Sequence, residues 1–171
     1  MKEPSSGARI ESKGVSLELN ASLDGHGLKV AIIAAKFNLN ITSKLVDGAI
    51  RALNDNGVVS NDISIVWVPG SFEIPLIALE VAKTGKWDAL VCLGAVIKGE
   101  TAHFEYVSGE ASSGITNASI TTSIPMAFGV LTTYTVEQAM ARAGGSHGNK
   151  GYDAALVAIE SANILTELHK S

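Results

Sequence analysis

A chain of 171 residues is long enough for one domain with a real core. A formal net charge of −4 leaves no basic excess to meet a nucleic-acid backbone, and no apolar run is long enough for a membrane span. Only 18% of residues are charged, against ~25% in soluble domains generally, which points to surface covered by further copies of the chain.

Residues 1–14 are polar, rich in Ser and Gly, and lack the apolar core of a signal peptide, so they read as a disordered tail ahead of a single domain over 15–171. Val15-Ser16-Leu17-Glu18-Leu19 alternates with period two and predicts a half-exposed strand that pairs at a sheet edge, in its own sheet or a neighbour's. Asp24-Gly25-His26-Gly27 is a turn. Four apolar runs follow, starting at Val30, Ile63, Ala89 and Met126, and each reads as a strand buried on both faces of a parallel sheet.

The intervals between the runs carry helical spacing. Leu45, Val46, Ala49, Ile50 and Leu53 form one stripe, with Thr42 or Ser43 as its cap and Gly57 as its end. Ile74, Ile77, Ala78, Val81 and Ala82 form a second, and Val107, Ala111 and Ile115 mark a third. Thr135 followed three residues later by Gln138 is a capping-box signature that opens a short helix, stopped by Gly144-Gly145. Ala155, Leu156, Ile159, Ile164 and Leu168 mark the last helix. Strands alternating with helices predict a three-layer αβα sandwich of flavodoxin-like type: a four-stranded parallel sheet plus the leading strand.

Ligands in such sheets sit beyond the carboxyl ends of the strands, and that is where the unusual residues fall. Phe37 follows the first core strand, where a ring either closes the sheet end or stacks on a planar heterocycle. Pro69-Gly70-Ser71-Phe72-Glu73-Ile74-Pro75 combines close backbone approach at Gly70 with the free N–H groups of a helix start; Glu73 fits either binding or a favourable charge at the helix dipole. Lys98-Gly99-Glu100-Thr101-Ala102-His103 sets a base, an acid and a hydroxyl at another helix start, with His103 as the candidate for proton transfer. Arg142, His147 and Lys150 stand in a Gly-rich linker, which suits a phosphate or, for Arg142, its own helix terminus. Cys92 lies inside an apolar run and reads as a buried reduced thiol of a cytoplasmic protein; no zinc-ligand spacing and no nucleotide-binding glycine pattern occurs.

Taken in order, five segments resemble the lumazine synthase family over Leu17 to Leu168: Lys36-Phe37-Asn38 with Ile41-Thr42; Trp67 through Pro75; Leu93 through Phe104; Phe128 through Thr133; and Glu137-Gln138-Ala139 with Arg142-Ala143-Gly144 and Gly148-Asn149-Lys150-Gly151. The resemblance implies a cofactor-free condensation of 5-amino-6-(D-ribitylamino)uracil with 3,4-dihydroxy-2-butanone 4-phosphate to 6,7-dimethyl-8-ribityllumazine, late in riboflavin biosynthesis. It implies that Phe37 stacks on the pyrimidine, that Ser71, Phe72 and Glu73 hold the ribityl chain, and that Ala95, Val96 and Ile97 offer backbone contacts to the pyrimidine. It further implies that Gly99, Glu100 and Thr101 hold phosphate with help from Arg142, that His103 moves protons, and that Phe128 and Lys150 act across or beside a subunit boundary. Family sites lie between subunits of a pentamer, whose leading strand joins a neighbour's sheet, and many members build sixty-subunit icosahedral shells. The short 144–149 linker matches the shell formers. Departures include Lys36 and Lys98 where Arg is frequent, Glu100 where a small residue is common, and Ser146-His147 in the linker.

Overall fold

The computed structural model describes residues 13–15, 17–20 and 22–170. Four parallel strands, β1 (Val30–Ala35), β2 (Ile63–Val68), β3 (Ala89–Ile97) and β4 (Met126–Thr133), form a sheet in the order β2-β1-β3-β4. Helices α1 (Leu39–Asp55), α2 (Ile74–Lys83), α3 (His103–Thr122), α4 (Val136–Arg142) and α5 (Lys150–Lys170) complete the frame. The alternation of β1 sorts the layers: Val30, Ile32 and Ala34 pack with α1, α4 and α5, whereas Ala31, Ile33 and Ala35 pack with α2 and α3. The result is the expected three-layer flavodoxin-like sandwich.

The strand starts agree with the apolar runs, but their burial is unequal. β1 is fully buried along its length, and β3 is buried up to Val96. β2 is an outer strand with Ile65 and Trp67 39% and 38% exposed, so the expectation of two buried faces fails there: among the described residues one of its edges has no strand beside it. Among the described residues the leading strand is not formed. Residues 15 and 17–20 adopt no strand and join neither sheet edge, and Val15 and Leu17 are exposed. A period-two segment needs a partner for its backbone groups, and no strand among the described residues supplies one. Of the expected tail, residues 1–12 lie outside the described residues, and Lys13 and Gly14 form a turn. The chain is held again where it approaches β1: Asn163 of α5 donates to the carbonyls of Ser22 and Asp24 at 2.8 and 2.9 Å. Asp24 then accepts from the His26 ring and N–H, which lowers the Asp24 pKa from its ordinary value.

Two helix starts differ from the sequence reading in instructive ways. α1 begins at Leu39, not after Thr42 or Ser43; Asn38 occupies the cap position with a left-handed backbone (φ 59°), and its carbonyl accepts from Ile41 and Thr42. Thr42 is buried inside the first turn. At α4 the capping box forms with a shift: Thr135 accepts from the N–H of Gln138 at 3.2 Å, while Gln138 Oε1 accepts from Tyr134, one residue ahead of the cap, at 2.9 Å. The linker after α4 is a small antiparallel hairpin, β5 (Ala143–Gly145) with β6 (Gly148–Asn149), turned through the left-handed Gly144 and Gly148.

Asn149 ties that hairpin to two helices. Its Oδ1 accepts from Gly151 and Tyr152 at the start of α5, and its Nδ2 donates to the Lys44 carbonyl of α1 at 2.8 Å. The crossing of α1 and α5 is close because Gly48 lies against Asn149 and Gly151 against the Leu45 backbone. An added Cβ at Gly151 would strike the Leu45 carbonyl, which cannot rotate aside. Alanine ordinarily improves a helix interior by about 1 kcal/mol over glycine. At this site we expect the opposite sign: Gly151→Ala should lower the free energy of unfolding by about 1–3 kcal/mol, the scale of overpacking, measured by urea denaturation. An unchanged or raised midpoint would contradict the close crossing.

Candidate active site

The sheet opens at its carboxyl end. β1 pairs with β2 to Ala35↔Val68, and that contact continues through Lys36 N–H to the Val68 carbonyl (2.8 Å) and Phe37 N–H to the Pro69 carbonyl (3.0 Å). β1 pairs with β3 only to Ala34↔Leu93, whereas β3 stays with β4 to Ile97↔Thr133. Two pairs of strands therefore part between β1 and β3, at the point where the strand order reverses. Asn38 spans the gap, donating from Nδ2 to the Ala95 carbonyl at 2.9 Å.

A cleft of about 630 Å³ lies over this parting. Phe37 projects into it from the end of β1, 69% exposed. Ser71, Phe72 and Glu73 enter from the loop after β2, in a single 3₁₀ turn that leads into α2. Ser71 is buried, and its hydroxyl rests where a side chain on residue 94 would stand, so Gly94 makes its seat. Ala95, Val96 and Ile97 form the wall from β3. The Lys98 N–H donates to Thr133 of β4, so Ile97, one residue earlier, turns its peptide groups to the β1 side, where β1 has already left.

The far wall is the loop from β3 into α3. Gly99, Thr101 and His103 line the cleft; Glu100 is exposed, does not line it, and so keeps its carboxylate off that surface. The N–H groups of Gly99, Glu100 and Thr101 donate to no group among the described residues. Three free donors just ahead of a long helix form an anion-receptive end. His103 is the first residue of α3. Pro69 and Gly70, from the loop singled out in the sequence, line the cleft opposite; Phe104, Tyr106 and Val107 of α3 also line it and carried no binding role in the sequence analysis. Spacings of three and four from His103 would have placed Tyr106 and Val107 on its face. The Glu105 carboxylate is held below its ordinary range, first by its own N–H at the helix start and then by Lys98, 3.1 Å away.

Three expected residues stand elsewhere. Phe128, Arg142 and Lys150 line a separate cleft of about 370 Å³ beside β4. Arg142 donates to the Gln138 carbonyl at 3.0 Å, the helix-terminal contact that the sequence left open, and Lys150 pairs with Asp153 at 2.6 Å. Within one chain the candidate residues thus form two groups, ten in the first cleft and three in the second, with Glu100 beside the first. Among the described residues no three His, Cys, Asp or Glu side chains are grouped to hold a metal ion, and no helix is long and apolar enough to cross a membrane. Burial pushes the Cys92 thiol up to about 12, which leaves it protonated and inert.

The family model for 6,7-dimethyl-8-ribityllumazine synthase matches residues 27–166, from the turn before β1 almost to the end of α5 and across both clefts. The chain belongs to the 6,7-dimethyl-8-ribityllumazine synthase family, transferases of riboflavin biosynthesis.

Proposed function

We propose that this chain condenses 5-amino-6-(D-ribitylamino)uracil with 3,4-dihydroxy-2-butanone 4-phosphate, releasing 6,7-dimethyl-8-ribityllumazine, phosphate and water. The observation that carries the reading is one cleft lined by an exposed aromatic ring, the unpaired peptide edge at Ile97 and His103, bordered by the 99–101 loop with its free N–H groups. A planar heterocycle fits against Phe37 with its polar edge along 95–97, and the ribityl chain runs toward Ser71, Phe72 and Glu73. The phosphate of the second substrate meets the N–H groups of Gly99, Glu100 and Thr101, where the dipole of α3 favours negative charge.

The chemistry needs positioning and proton transfer. The 5-amino group attacks the ketone and water leaves to give an imine. Phosphate departs as the neighbouring carbons rearrange to an enol and its ketone, and the ribitylamino nitrogen closes the ring with loss of a second water. Holding two reactants together removes most of the entropic barrier, and His103 gives and takes protons at the nitrogen and oxygen centres. No cofactor enters these steps.

Phe128, Arg142 and Lys150 complete the site when a second copy sets its β4 edge against the first cleft, with Arg142 meeting the phosphate. Their separation from Phe37 and His103 within one chain supports a shared site, as do the exposed Phe128, Ile120 and Val157. The open edge of β2 suits the Val15–Leu19 segment of a neighbour. A pentamer, packed further into an icosahedral shell, accommodates both contacts, and the tight 143–149 hairpin keeps the outer surface short. A cytoplasmic location suits the unpaired Cys92.

Mixing both substrates with the purified chain should produce lumazine fluorescence; its absence with folded protein would overturn the assignment. Arg142→Ala should raise KM for the phosphorylated ketone about 10–100-fold, the loss of a charged hydrogen bond, and change KM for the uracil little. Gly94→Ala, which must displace Ser71, should show the reverse preference; equal effects on both substrates in either variant would reject the division of the cleft. His103→Ala should reduce kcat about 10²–10⁴-fold with a small change in KM, and unchanged turnover would remove the imidazole from the mechanism.

A further inference from the structure

Lys98 is the cation nearest in sequence to the free N–H groups of 99–101, and an anion there would make it the obvious partner. Its ammonium is engaged by other groups. Nζ lies 3.1 Å from Glu105 Oε1, 5.7 Å from the centre of the Tyr134 ring and 6.0 Å from that of Phe104. Those two rings stack on each other, 6.4 Å apart and 25° from parallel. Lys98 does not line the first cleft. Its backbone N–H meanwhile extends the β3–β4 ladder to the Thr133 carbonyl at 2.9 Å.

The contacts come from three separate elements. Lys98 opens the loop after β3, Phe104 and Glu105 belong to the first turn of α3, and Tyr134 follows β4. Tyr134 is itself fixed, because its N–H donates to Gln138 Oε1 of α4. One ammonium thus joins the beginning of the loop to the helix that the loop feeds and to the neighbouring strand end. Each contact alone is weak at a solvent-facing position. Together they restrict a segment whose own N–H groups make no internal bonds.

We propose that Lys98 is a positioning residue: it clamps the loop so that the free N–H groups of Gly99, Glu100 and Thr101 and the imidazole of His103 face the cleft, and it does not bind the anion itself. The proposal rests on the anion-binding role given to this loop above. It predicts a sign that a direct anion ligand cannot produce. Removing the Glu105 charge would free an anion-binding lysine and tighten anion binding, whereas it loosens a clamp and weakens binding.

The test measures binding of inorganic phosphate by calorimetry, with steady-state kinetics alongside, on the wild-type chain and on Lys98→Met, Lys98→Arg, Glu105→Gln and Lys98→Met/Glu105→Gln, all checked for native melting. Lys98→Met should weaken phosphate binding and raise KM for the phosphorylated ketone about tenfold, the scale of a small misplacement of binding groups, with KM for the uracil nearly unchanged. Lys98→Arg, which keeps the ion pair and stacks on the rings, should restore most of the loss. Glu105→Gln should weaken phosphate binding in the same direction, and the double variant should be no worse than Lys98→Met. Tighter phosphate binding by Glu105→Gln, or unchanged binding by Lys98→Met, would overturn the clamp. If the wild-type chain binds phosphate with this variant pattern yet forms no lumazine, the clamp stands and the assigned reaction falls.

Discussion

The structure depends on β3 outrunning β1. Pairing between the two central strands ends at Ala34↔Leu93, while the outer contacts of each continue to Ala35↔Val68 and Ile97↔Thr133. A sheet whose central pair stays zipped offers no backbone to a ligand; one that unzips at its edge exposes donors and acceptors held rigid by the neighbours on either side. The exposed groups remain accessible to water, so the opening avoids the penalty of burying unpaired peptides. Asn38 limits the opening. Its left-handed backbone, which asparagine tolerates better than most residues, turns the chain into α1, and its amide bridges to Ala95.

Close packing behind the opening keeps its walls fixed. Small residues fill the layers: Ala31, Ala34 and Ala35 in β1, Ala155 and Ala158 in α5, and Gly94 beneath Ser71. Helices therefore approach the sheet and one another closely, and a shift in one element is transmitted to the next. Asn149 shows the same economy, capping α5 while holding α1.

Much of the fold was legible because burial leaves a periodic trace. The four apolar runs, the stripes of α1 and α2, and the Thr135–Gln138 cap each follow from local chemistry. What the sequence hid depends on partners distant in the chain. Whether Ile65 and Trp67 are covered depends on strand order, which no residue of β2 encodes. The start of α1 follows from the backbone of Asn38, whose side chain is engaged with Ala95 and not with its own helix. The Gly144–Asn149 segment reads as a linker because two-residue pairing carries no hydrophobic signal. Most residues of the first cleft were marked by their position at or after the strand ends; that Phe128 and Lys150 stand apart was implied only by the family resemblance, and that Arg142 joins them was not read from the sequence. Distance along the chain says nothing about which edge of the sheet a side chain reaches.

Cys92 sits in the middle of β3, fully enclosed, as the chain's sole thiol. Chemical silence of that kind is an experimental resource. A cysteine introduced at an exposed position such as Glu100 would react against a dark background, so a fluorophore or spin label could report on the β3–α3 loop without first stripping native sulfur from the core.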